Sequence, residues 1–276
     1  MKRACVIGWP IAHSRSPLIH GYWLRKYGIE GSYTKEAVRP ETLPEFLATL
    51  NERGFAGCNV TVPHKEAVFA AARSRAESAV AVGAANTLWL EGGELACANT
   101  DTYGFMANLD QRAPRWQDVE GATLVLGAGG SARAVVYGLL ERGRNDIRIF
   151  NRTVERAEDI ARHFGAGVSA WPWDARNDHV PQASLVINTT TLGMNGAGDP
   201  AISFRFAQKA AVVADLVYVP LQTSLLMSAR AHGLVGVDGL GMLLHQAVPG
   251  FEKWFGVRPE VTPELYDLVA ENIREA

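Results

Sequence analysis

Apolar and polar stretches alternate along the chain in two successive strand-and-helix series. In the first, "RACVIG" is a short apolar run closed by Gly8 and predicts a buried strand. "SPLIHGYWLRKYG" has helical spacing, with Pro17 early and Gly28 as a stop. "SYTKEAV" predicts a second strand, "ETLPEFLATLNERG" a second helix and "GFAGCNVTV" a third strand. Asn59 to Val62 alternate and carry β-branched residues, and Pro63, with no N–H to donate, ends that ladder. "AESAVAVGAANTLWLEGGELACANTD" predicts a helix end and then a hairpin around Gly92-Gly93.

The second series opens near Asp118. "GATLVLGAGG" is an apolar strand running into glycines, and "SARAVVYGLLERGR" is an amphipathic helix. "DIRIFNRT" predicts the next strand, "VERAEDIARHFG" the next helix, and "ASLVINTT" and "AAVVADLVY" two buried strands. Such alternation implies a parallel sheet with right-handed crossovers. The last forty residues, with "GLGMLLHQAVPGFEKWFG" and "TPELYDLVAENIREA", read as helical and are expected to pack back on another domain.

The 276 residues are 47% apolar and 20% charged, with a formal net charge of −2. That is room for two domains, and the near-neutral balance argues against nucleic acid or an anionic membrane as partner. Cys5, Cys58 and Cys97 are far apart and form no CxxC pair, so neither a disulfide framework nor a cysteine zinc site is expected, and a reducing cytoplasm fits. The N-terminus lacks the apolar run of a signal peptide, and no stretch has the length of a membrane span.

"GAGGSA", Gly127 to Ala132, follows a strand and opens a helix, the context in which G-x-G-x-x-G/A binds a dinucleotide. Its glycines permit a tight turn and close approach of a pyrophosphate to backbone N–H groups. An NAD site would place an acid at the end of the next strand, to bind the ribose 2′-hydroxyl. This chain reads "FNRTVER": Asn151, Arg152 and Thr153 offer donors, and Arg156 follows one turn later. Guanidinium groups there suit a 2′-phosphate, so NADP is the expected cofactor.

Short hydroxyl and amide side chains recur near the predicted strand ends: Ser14 and Ser16, Asn59 and Thr61, Asn86 and Thr87, and Asn99 and Thr100 with Asp101 at the same strand end. Singly these are turn formers; on converging loops they would line a pocket for a small polyhydroxylated molecule. Lys65 is expected to project from a strand end, the alternative being a solvated lysine on the first turn of the next helix. With Asp101 it is the charged pair that could pass a proton to or from a substrate hydroxyl. His13 and His64 flank this site and read as structural or solvated. No His/Glu spacing suggests zinc, and no G-x-S-x-G suggests a hydrolase.

Taken in order, "VIGWPIAHSRSPLIH", "GCNVTVPHKE", "GAANT", "ANTDTYGF", "GAGGSARA", "NRTVERA", "DLVYVP" and "GLGMLLHQ" resemble the shikimate dehydrogenase family, from about residue 6 to residue 255. The resemblance implies an α/β fold of two domains. An N-terminal substrate-binding and catalytic domain with a mainly parallel sheet would span 1–104, and a Rossmann-like NADP-binding domain 105–240. C-terminal helices, 241–276, would pack back on the substrate domain. It implies NADPH-dependent reversible reduction of 3-dehydroshikimate to shikimate in a cytoplasmic enzyme, with a homodimer left open.

By the same resemblance Lys65 and Asp101 are the catalytic pair, and Ser14 and Ser16, helped by Tyr218, bind the substrate carboxylate. Thr61, Asn86, Asp101 and Gln246 hold the ring hydroxyls. Gly127, Ala128, Gly129, Gly130, Ser131 and Ala132, with Asn151, Arg152, Thr153 and Arg156, hold the cofactor. Leu216, Gly239 and Met242 lie near the nicotinamide, and Glu77 is a more distant cofactor contact. Pro249-Gly250 is expected to kink or end the helix carrying Gln246. Two alternatives stand beside this reading. One is a quinate/shikimate dehydrogenase using NAD, which Ser14, Ser16 and Arg152 disfavour. The other is a ligand-sensing module, which would not need Lys65, Asp101 and "GAGGSA" together.

Overall fold

Residues 2–275 are described in the computed structural model, and they form two units. One takes the chain up to Thr102 together with Leu244–Val269; the other takes Tyr103–Leu243 and the chain from Ala270 onward.

The first unit is built on β1 (Lys2–Gly8), α1 (Ser16–Lys26), β2 (Gly31–Ala37), α2 (Leu43–Ala48), β3 (Phe55–Val60), α3 (Lys65–Ala71), β4 (Ser74–Arg75), α4 (Glu77–Val82), β5 (Thr87–Glu91) and β6 (Glu94–Ala98). Its sheet has the order β2-β1-β3-β5-β6-β4. β1 runs parallel to β2 and β3, and β4 runs parallel to β6. β5 alone is antiparallel, to β3 and to its hairpin partner β6. Ala4 to Ile7 are all buried because the sheet is covered on both faces, which is why β1 reads as a continuous apolar run. Cys5 and Ile7, with Cys58 and Val60 of β3, pack on Phe46, Phe55 and Leu88. The three cysteines are buried free thiols.

The second series begins with α5 (Asp101–Arg112) and continues through β7 (Ala122–Leu126), α6 (Gly130–Glu141), β8 (Ile147–Asn151), α7 (Val154–Phe164), β9 (Val168–Pro172), α8 (Arg176–His179), β10 (Ala183–Asn188), β11 (Val212–Asp215), α9 (Ser224–Ala231) and β12 (Val235–Val237). All six strands of this sheet are parallel, in the order β12-β11-β10-β7-β8-β9. The three central strands β7, β10 and β11 are buried throughout. The chain closes with α10 (Gly239–Phe255) and α11 (Pro263–Arg274). No described helix is long and apolar enough to cross a membrane.

Three expectations need correction. β3 ends at Val60, so Lys65 does not project from a strand end; it is the first residue of α3, after a turn through Thr61–His64. Asp101 likewise lies beyond its strand and opens α5. Of the two outcomes expected at Pro249, a kink or an end, the end does not occur, since α10 runs on to Phe255. An interior proline costs about 3 kcal/mol. Phe251, Trp254 and Phe255 beyond it are all buried, each side chain gaining about 2 kcal/mol. Packing therefore outweighs the lost hydrogen bond.

Candidate active site

Lys65 and Asp101 reach each other from two helix N-termini. Lys65 Nζ donates to Asp101 Oδ2 at 2.7 Å, with side chains 33% and 15% exposed. Asp101 suits its place, because the first-turn N–H groups of α5 favour an anion. Lys65 gains nothing comparable at the start of α3. A partly exposed pair stabilises a fold by about 1 kcal/mol at most, so stability gives little reason for it. Its geometry suits proton exchange: a cation, a neighbouring carboxylate, and one side open to a small molecule.

Asn86 Nδ2 donates to the other oxygen, Asp101 Oδ1, at 2.8 Å, and to Gln246 Oε1 at 3.3 Å. Lys65, Asp101, Asn86 and Gln246 thus form one hydrogen-bonded group, and the continuity of α10 through Pro249 leaves Gln246 aimed into it. The carbonyl of Lys65 accepts from Ala85 N at 2.9 Å and that of Asn86 from Val60 N at 2.8 Å, which pins both backbones. Thr61 is half-buried in the turn before α3. Ser16 opens α1 and is 6% exposed. The Ser14 hydroxyl donates to Ser16 Oγ at 3.3 Å and accepts from Ser16 N at 3.3 Å, so the two hydroxyls are held side by side. His13 is exposed, whereas His64 is buried with Nε2 2.7 Å from the Val38 carbonyl, a structural contact.

In the second unit, Gly127 has φ +103°, a conformation that favours glycine, and its N–H donates to the Phe150 carbonyl at 2.8 Å. Gly129 is the N-cap of α6 and supplies no side-chain cap. A Cβ on Gly129 or on Gly130 would stand in open space, so the bare N–H groups of the helix start face a cleared cradle. Ser131 is half-buried and Ala132 fully buried. This arrangement fits a dinucleotide pyrophosphate.

Asn151 ends β8 and holds the next turn by donating from Nδ2 to the Thr153 carbonyl at 2.7 Å. Arg152, Thr153 and Arg156 are exposed beside it, and neither arginine is in an ion pair among the described residues. Unpaired guanidinium groups here fit an added phosphate. Ala128, Leu216 and Met242 pack on one apolar cluster. Gly239 approaches the Leu216 carbonyl so closely that a Cβ would collide with its oxygen. Tyr218 is half-buried on the segment after β11. Glu77 is exposed at the start of α4 in the first unit.

Sequence reasoning missed Asp215. It is 1% exposed and accepts from Asn188 Nδ2 at 2.8 Å, Val217 N at 3.0 Å and Thr223 Oγ1 at 2.7 Å. It thereby ties together both ends of the loop that carries Tyr218. Burial pushes its carboxyl pKa up, opposed by these hydrogen bonds. Its only signal in the sequence was an acid at the end of an apolar run.

Family models match three stretches: a shikimate dehydrogenase substrate binding domain over residues 6–88, a shikimate / quinate 5-dehydrogenase over 112–195, and a shikimate 5′-dehydrogenase C-terminal domain over 239–263. The shikimate dehydrogenase (NADP(+)) of Brucella canis is 55% identical over 278 residues, covering 100% of this chain and 96% of that protein. The shikimate 5-dehydrogenase of Thermus thermophilus, solved in complex with NADP(H) and shikimate, has a TM-score of 0.85 and 34% identity, covering 99% of this chain and 100% of the other. The quinate dehydrogenase of Corynebacterium glutamicum, solved with NAD, has a TM-score of 0.87 at 27% identity, covering 98% and 100%.

Proposed function

Because the chain belongs to the shikimate dehydrogenase family, we propose that Lys65 and Asp101 handle the proton of its reaction. That reaction is the reversible reduction of 3-dehydroshikimate to shikimate, and the enzyme is an NADP-dependent oxidoreductase. When bound, NADPH supplies the hydride.

The contact between Lys65 Nζ and Asp101 Oδ2 carries this reading. In reduction, the Lys65 ammonium gives its proton to the carbonyl oxygen as hydride reaches the carbonyl carbon, so the ketone becomes a secondary alcohol. In oxidation Lys65 takes that proton back. Asp101 keeps the amine oriented and balances its charge. Asn86 and Gln246, with Thr61, bind the ring hydroxyls, and the adjacent hydroxyls of Ser14 and Ser16, with Tyr218, bind the carboxylate. Gly127 to Ala132 cradle the pyrophosphate, Arg152 and Arg156 bind the 2′-phosphate, and Leu216, Gly239 and Met242 form the nicotinamide subsite. The first unit serves as the substrate domain and the second as the cofactor domain. Buried free thiols suit a reducing cytoplasm.

Initial rates at 340 nm, with shikimate or quinate and with NADP or NAD in all four combinations, test the proposal. Rapid turnover with shikimate and NADP alone is the expected result. Comparable rates with quinate or NAD would overturn the roles given to Ser14, Ser16 and Arg152.

A further inference from the structure

Asn59, Thr87 and Thr100 are conspicuous in the sequence, yet none has a part in the chemistry above. All three are buried. They belong to a line of hydrogen bonds behind Asp101 that runs in one direction. The Tyr33 hydroxyl donates to Asn59 Oδ1 at 2.6 Å. Asn59 Nδ2 donates to Thr87 Oγ1 at 3.2 Å and to the Asn86 carbonyl at 3.3 Å. Thr87 Oγ1 donates to Asn86 Oδ1 at 3.1 Å, and Asn86 Nδ2 donates to Asp101 Oδ1 at 2.8 Å.

Two groups fix that direction. Thr100 N–H can only donate, and it reaches Asn86 Oδ1 at 2.7 Å, while the Thr100 hydroxyl is within 2.8 Å of the Gln246 carbonyl. At the far end, burial keeps the Tyr33 phenol protonated, so it too donates. A reversed Asn86 would set its oxygen against a carboxylate oxygen and its NH2 against the Thr100 N–H, leaving two acceptors facing each other and two donors likewise. The Tyr33 ring is held in turn by parallel stacking on His20, with centroids 3.9 Å and planes 4° apart. The sheet register places Asn59 directly opposite Thr87, so the central link is set by strand pairing.

We propose that Tyr33 and Thr87 are positioning residues for the proton-transfer pair. Together with the Thr100 N–H and hydroxyl, 2.7 and 3.0 Å from Asn86 Oδ1, they hold the Asn86 amide with its N–H toward Asp101 Oδ1, which leaves Oδ2 free to receive Lys65. Neither is hydrogen-bonded to Lys65 or Asp101, and both act through Asn86. The inference rests on the reading of Lys65 and Asp101 as the pair that moves the proton.

The test compares Tyr33→Phe, Thr87→Val, Thr87→Ser and Lys65→Met in the full-length enzyme, by kcat and KM for shikimate at saturating NADP and by Tm. Tyr33→Phe and Thr87→Val are expected to lower kcat about tenfold while KM stays within about twofold. Thr87→Ser, which keeps the hydroxyl, is expected to restore kcat to within about twofold of the parent. A Thr87→Val enzyme with lower Tm but normal kcat would overturn the inference, as would a change confined to KM. In either case a large kcat loss in Lys65→Met leaves the proton-pair reading standing. Near-normal kcat in Lys65→Met overturns both. Should Thr87→Val not fold, Tyr33→Phe, which deletes one oxygen atom, decides by the same criteria.

Discussion

Lys65 and Asp101 lie 36 residues apart in the chain and 2.7 Å apart at their charged ends, and each is the first residue of a helix. Two helix starts are stiff places from which to aim a cation and a carboxylate at one point. Asn86 fixes the second carboxylate oxygen from a strand-end position, so Asp101 has little freedom to turn away from the lysine.

In the proposed site, Arg152 is the residue on which cofactor choice would depend most directly. Arg152→Ala is expected to raise KM for NADP by about tenfold or more, the scale of one lost charge-assisted phosphate contact. KM for NAD should change little. Steady-state kinetics with each cofactor checks this, and equal effects on both would remove Arg152 from the 2′-phosphate site.

A substitution at Gly129 would separate folding from the proposed cofactor binding. Its φ of −103° and ψ of −170° suit any residue, and an added Cβ meets nothing within 4 Å. Gly129→Val should therefore keep Tm within about 2 °C, as an unstrained surface change does. The branched side chain would fill the phosphate cradle, and NADP titration by calorimetry should show binding lost. Retained affinity would place the pyrophosphate elsewhere.

His20 predicts an acid sensitivity. It is wholly buried with no hydrogen bond to either ring nitrogen, and burial lowers its pKa from 6.5 to about 3, the nearby Asn59 side chain opposing. The unfolded chain takes up a proton that the folded one refuses. The stabilising contribution is therefore complete above pH 6.5 and declines as pH falls toward about 3. At pH 5 the loss amounts to about 2 kcal/mol. Urea unfolding at pH 7 and pH 5 should show that difference shrink by about this amount in His20→Phe. An unchanged difference would mean that the unfolded state or a local opening controls the proton uptake.

What was legible in the sequence follows from burial. β7 and β10 are buried throughout and stand out as largely apolar runs, and "GAGGSA" is readable because its glycines answer to a local backbone demand. β9 and β12 are edge strands with partly exposed residues, and their short mixed patterns give no such run. The strand end before Lys65 was placed too late because β-branched Thr61 and Val62 continue the strand composition into a turn. At Pro249 the local cost is plain in the sequence, while the burial of Phe251 and Trp254 that carries the helix past it is tertiary. The line from Tyr33 to Asn86 was illegible for the same reason. Its members are ordinary polar residues until β3 and β5 pair and set Asn59 opposite Thr87.

The most direct test of the central claim is the turnover of Lys65→Met with shikimate and NADP, measured beside its dissociation constant for shikimate. A kcat lower by about a hundredfold or more, with the dissociation constant changed by no more than a few-fold, is the predicted result for a group that moves the proton. A variant with near-normal kcat would contradict the account and return Lys65 to an ordinary place on the first turn of α3.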